Sequence, residues 1–133
     1  MTALAFSFTK LVVADLERAE RFYSEAFGMQ ALHRVRSEEH AYPLEEAIMA
    51  LGEGLEQHRL MLVHYLTRPC PPSGAVWTGF VVADIAATLE ALTRCGGRLE
   101  VAAHANQEHG VLAVLAADPD GHMIEVIQML AAS

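Results

Sequence analysis

Cysteine is nearly missing from this chain: two occur in 133 residues, Cys70 in a proline-rich stretch and Cys95 before Gly96-Gly97. Such a pair builds neither a disulfide scaffold nor a cysteine-based zinc site. Positive charge is also scarce, with 9 Lys and Arg against 17 Asp and Glu and a net charge of -8. Nucleic acid and anionic membrane are therefore not expected as partners, because phosphate binding needs clustered Lys and Arg. Apolar runs break well before 18 residues, so no segment is expected to span a bilayer. Met1 to Phe6 shows no basic leader and no long apolar core, and a soluble cytoplasmic protein is expected. Proline is scarce too, and three of the five, Pro69, Pro71 and Pro72, cluster between Thr67 and Gly74, the most linker-like segment.

The hydrophobic fraction of 53% is ample for one packed domain. Phe6 to Val13 reads as a buried strand. Asp15 then stands as an N-cap for a helix over residues 16–27, with Leu16, Ala19, Phe22, Tyr23 and Phe27 on one face and Gly28 as its stop. Strands follow at Met29 to Val35 and Arg59 to Tyr65. Pro43 to Leu51 fits a helix or a strand, and Ser37 to His40 reads as a polar turn.

After the prolines the pattern restarts. Val12-Val13-Ala14-Asp15-Leu16 returns as Val81-Val82-Ala83-Asp84-Ile85, an offset of 69 residues (84 − 15). A second capped helix runs through Leu89 and Leu92 to Gly96-Gly97, and strands are predicted at Arg98 to Ala103, Val111 to Ala116 and Met123 to Met129. This order defines an α+β fold of two tandem βαβββ modules, one over about residues 5–66 and one over about 75–130, within a single domain. Before the last strand lies Asp118-Pro119-Asp120-Gly121, strong turn chemistry. Alternation then puts Met123, Glu125 and Ile127 on one face and His122, Ile124 and Val126 on the other. Glu125 is a lone carboxylate in an otherwise apolar strand.

The opening Val13-Ala14-Asp15-Leu16 through Phe22-Tyr23 and Phe27-Gly28, closing with Asp118-Pro119-Asp120-Gly121 and Glu125, resembles the vicinal oxygen chelate superfamily. That group includes glyoxalase I, bleomycin-resistance proteins and extradiol dioxygenases. The resemblance implies sheets curved into a half-open barrel around a shared cavity, often in a homodimer. It also implies one metal ligand on the first strand and one on the last strand of each module in metal-dependent members. Seven residues before each capping aspartate those positions carry Phe8 and Trp77, and the last-strand positions carry Met61 or Leu62, depending on register, and Glu125. One carboxylate cannot hold Zn²⁺, Ni²⁺ or Fe²⁺, which take three or more N, O or S ligands. A metal-free member without cofactor is expected.

Phe8 and Trp77, the only tryptophan, are expected to wall an aromatic pocket with Met61 or Leu62, although the same bulk would equally fill a closed cavity. Lys10 adds a cationic handle, and His64 shares the cavity face in the Leu62 register. His104 and His109 flank an expected loop, Ala105 to Glu108, and His33, His40, His58 and His122 read as peripheral. Glu125 has three readings: a remnant bonded to backbone or Lys10, a binding group, or a general base. The leading functional expectation is metal-free binding of a small aromatic or cationic molecule, similar to bleomycin-resistance proteins, with Phe8, Lys10, Met61, Leu62, His64, Trp77 and Glu125 as binding residues. The alternative is a glyoxalase-type lyase or isomerase with Glu125 as catalytic base, with or without a relocated divalent metal.

Overall fold

Both helices begin with the same device. The Asp15 carboxylate accepts the Arg18 amide at 3.0 Å and Asp84 accepts that of Ala87 at 3.2 Å, each cap residue lying in extended backbone. The helices α1 (Leu16–Phe27) and α2 (Ile85–Arg94) start where the repeated Val-Ala-Asp motif ends. Gly28 stops α1 at a φ of 73°, a left-handed conformation that costs glycine nothing. The computed structural model describes residues 2–39, 41–54, 56–106 and 108–131, so His40 and Gln107 of the two expected loops lie outside the described residues.

The chain divides into two compact units, Met1–Ser24 with Gly28–Pro71, and Glu25–Phe27 with Pro72–Ser133. In the first, β1 (Phe8–Val12), β2 (Gln30–Ser37), β3 (Leu44–Ala50) and β4 (Arg59–Tyr65) form a sheet in the order β1-β4-β3-β2. In the second, β5 (Trp77–Val81), β6 (Arg98–Asn106), β7 (Val111–Ala117) and β8 (Met123–Met129) form the order β5-β8-β7-β6. The first and last strands of each sheet run parallel and the other pairs antiparallel. The fold is therefore α+β with two tandem βαβββ modules, built as two four-stranded sheets and not as one closed barrel.

The ambiguous segment resolves as strand β3, because it is hydrogen-bonded on both sides, to β2 and to β4. Its Ala47 and Met49 pair with Leu62 and Leu60, and this side of the sheet is fully buried, as are Ala19, Phe22 and Tyr23 of α1. In the second unit α2 lies over β6 and β8 and buries Ile85, Thr88 and Leu92, while Val114, Ala116, Ile124 and Val126 are shut from solvent. Each such aliphatic side chain contributes about 1.5–3 kcal/mol.

Candidate functional site

Glu125 is positioned by the turn before it. The Asp118 carboxylate, fully buried, accepts the amides of Asp120 and His122 at 2.9 Å each, and Gly121 takes a φ of 95°. The Ser73 hydroxyl donates to the Asp120 carbonyl at 2.7 Å and pins the turn from outside. β8 then leaves with the expected alternation: Ile124 and Val126 are fully buried, while Met123, Glu125 and Ile127 are half-buried on the other face. Across the ladders Glu125 faces Gly79 on β5 and Leu115 on β7. Among the described residues no hydrogen bond or ion pair reaches its carboxylate.

That face holds a cleft of about 240 Å³ lined by Trp77, Val101, His104, Ala113, Leu115 and Glu125. Trp77 pairs with Met123 and so stands two residues along β5 from Gly79, 58% exposed, its ring forming the aromatic wall. Gly79 leaves the flank of Glu125 without a side chain.

His104 belongs to this cleft, where the sequence reading had put it at the edge of a loop. β6 continues through Asn106, three residues beyond the predicted end of this strand at Ala103. Val101 and His104 are three apart, a spacing that puts residues on opposite faces of a regular strand. Here the register shifts between them, so that Val101 pairs with Leu115 and His104 with Ala113, both on the Glu125 face. The extra residue of a β-bulge turns His104 inward. Its Nδ1 donates to the Ala102 carbonyl at 3.3 Å, leaving Nε2 as the free ring nitrogen. Nothing in Ala102-Ala103 advertises the bulge, since it uses no glycine.

The first unit places the remaining candidates. The ladder pairs Phe8 with Arg59 and Lys10 with Met61, just as Trp77 pairs with Met123 and Gly79 with Glu125. Met61 is therefore the counterpart of Glu125. Leu62 is fully buried on the other side of β4, and His64 follows it there, donating from Nδ1 to the Val13 carbonyl at 3.2 Å. Phe8 is 47% exposed, with the Lys10 ammonium 5.8 Å from its ring centre. Lys10 bonds to Glu46 at 2.9 Å, a carboxylate the sequence reading did not single out. His122, read as peripheral, is 7% exposed, while His58 links the Thr9 hydroxyl to the Phe6 carbonyl.

The donor set does not suit a divalent metal at the positions the family resemblance implies. Phe8, Met61 and Trp77 offer no N or O donor there, and among the described residues no three His, Cys, Asp or Glu side chains gather to hold an ion.

Two βαβββ units, each with the same mixed four-stranded sheet, and a carboxylate on the last strand of the second, define a protein of the paired βαβββ class. The chain belongs to the Glyoxalase/Bleomycin resistance protein/Dioxygenase superfamily, whose family model matches residues 5–126. It is 30% identical over 127 residues to a protein of Vibrio parahaemolyticus named "Probable lactoylglutathione lyase", covering 94% of this chain and 91% of that one. It is 28% identical over 122 residues to a lactoylglutathione lyase of Haemophilus influenzae, covering 90% and 89%. A glyoxalase family protein from Bacillus cereus superposes with a TM-score of 0.81 at 21% identity, over 98% of this chain and 97% of that one, which shows the shared fold.

Proposed function

We propose that this protein is a glyoxalase-type lyase or isomerase acting on a small organic substrate in the cleft of the second unit, with Glu125 as its base. The observation that carries the reading is the Glu125 carboxylate, half-buried at an apolar cleft and without a protein partner among the described residues. Two relatives named as lactoylglutathione lyases, similar along nearly the whole chain, support the same class. A lyase that divides lactoylglutathione into a thiol and a three-carbon oxo-aldehyde moves a proton from the hydroxyl-bearing carbon to the neighbouring carbon that carries the sulfur, giving the hemithioacetal that releases the thiol and the oxo-aldehyde. A carboxylate poised over those carbons takes the proton from one and returns it to the other. Trp77 and Leu115 exclude water from one side of that exchange, and His104 offers a second proton-carrying group at the rim.

The test is thioester formation from glutathione and 2-oxopropanal, and the reverse reaction, with the wild type and Glu125→Gln. General acid–base catalysis is worth about 10²- to 10⁴-fold, so turnover should fall by at least about 100-fold with KM changed less than about threefold. A silent wild type, or a Glu125→Gln enzyme of full activity, removes the reading.

The exposed Trp77 ring favours a second role, sequestration without chemistry. That role requires saturable quenching of the single tryptophan by aromatic ligands in a protein with no turnover. A homodimer belongs to the same proposal, and light scattering on the untagged protein should then give twice 14.5 kDa.

A further inference from the structure

The face of the first sheet that carries Met61, opposite the one that buries Leu62, holds a polar centre of a different kind. Glu46 lies on β3 opposite Val63, and Lys10 on β1 opposite Met61, so the two side chains meet diagonally across β4. The Glu46 side chain is 10% exposed and that of Lys10 43%. The ion pair is therefore anchored on its acidic side and open to solvent on its basic side. Lys10 donates one N–H to Glu46 Oε2 at 2.9 Å, which leaves two N–H groups. The second Glu46 oxygen, Oε1, accepts no hydrogen bond among the described residues. Around the pair stand apolar groups: Met61 and Ile48, directly opposed on β4 and β3, and Phe8, whose ring the ammonium also approaches.

This combination selects a ligand. A simple anion would meet Lys10 but be repelled by Glu46, and a simple cation the reverse. A group with a negative oxygen beside an ammonium satisfies both and matches the zero net charge of the pair. We infer that the Lys10–Glu46 pair is a binding site for the zwitterionic head of an α-amino acid, with an apolar or aromatic side chain laid against Phe8 and Met61. The carboxylate takes the spare N–H groups of Lys10, and the ammonium donates to Glu46 Oε1. The site is built wholly from first-unit residues and uses none of those that line the Glu125 cleft.

The full-length protein labelled with ¹³C at its methionine methyls gives a probe beside the pair, with the Met61 signal identified from Met61→Leu. L-Phenylalanine should shift that signal saturably, with half-saturation on the order of a millimolar, the weak regime of small ligands. 3-Phenylpropanoate and 2-phenylethylamine, each lacking one of the charges, should leave it within the noise. Lys10→Met and Glu46→Gln should each weaken binding at least tenfold. Because a single change strands a charge, the double variant Lys10→Met with Glu46→Leu serves as the folded control and should not bind. The inference is overturned by equal shifts from all three compounds, by no shift with L-phenylalanine, or by unchanged binding in the double variant. The readout is a methyl signal and not turnover, so it is separate from the outcome for Glu125.

Discussion

Glu125 was legible in the sequence because it interrupts an apolar alternation, and a single carboxylate among hydrophobic neighbours is visible without a structure. Met61 and Leu62 were not separable, since both are apolar and a ladder register decides between them. Glu46 was hidden for a different reason: Pro43 to Leu51 fits a helix as well as a strand, and its partner Lys10 is 36 residues away. The stability consequence of that pair is specific. Removing one member of a fully buried pair costs about 3–5 kcal/mol, but the Lys10 ammonium is 43% exposed and water screens much of the loss. Lys10→Met should therefore lower unfolding stability by about 1–2 kcal/mol. Urea denaturation checks this, with a lowered midpoint at unchanged slope.

Among the elements, the two helices and most strands followed from caps and periodicity, since Asp15, Gly28 and Asp84 act through local hydrogen bonds that a short window of sequence contains. The Asp84 cap should be worth about 1 kcal/mol, read as the loss in Asp84→Ala by thermal or urea unfolding. β6 was read too short because its two bulges depend on β7 and have no residue signature. The bulges make a prediction that runs against the usual intolerance of strands to deletion. Removing Ala103 takes out one of the two bulges and keeps Val101 opposite Leu115 and His104 opposite Ala113. That deletion should keep the thermal midpoint within a few degrees of the wild type, a shift of about 1 kcal/mol or less. Removing Ala113 from the unbulged β7 flips every later side chain to the wrong face and should prevent folding. Circular dichroism and thermal melts of the two deletions decide it.

For the molecule as a whole, the repeated Val-Ala-Asp motif revealed the duplication, and the two sheets of matching strand order carry it through in three dimensions. The two copies have diverged in chemistry and not in topology, which is why the fold could be read further than the site: packing repeats, whereas the polar substitutions are single events. The cysteines offer a global probe. Cys70 is exposed, and Cys95 is buried with its thiol donating to Glu25 at 2.9 Å. A thiol reagent should titrate one group in the native protein and two in denaturant. Two reactive groups in the native state would contradict the burial of Cys95. No helix among the described residues is long and apolar enough to cross a membrane.

The vacancy opposite Glu125 bears on how such a protein changes over generations. Gly79 adopts no left-handed backbone, and a Cβ there would meet only the Glu125 carbonyl oxygen at 3.9 Å. Glycine in a strand interior is a weak choice, and a β-branched or aromatic residue gains up to about 1 kcal/mol in such a place. Most routes to a new activity lower stability as they add function. At position 79 a single codon change can set a fresh side chain beside an unpartnered carboxylate while the sheet tightens, so selection for robustness and selection for novelty pull in one direction.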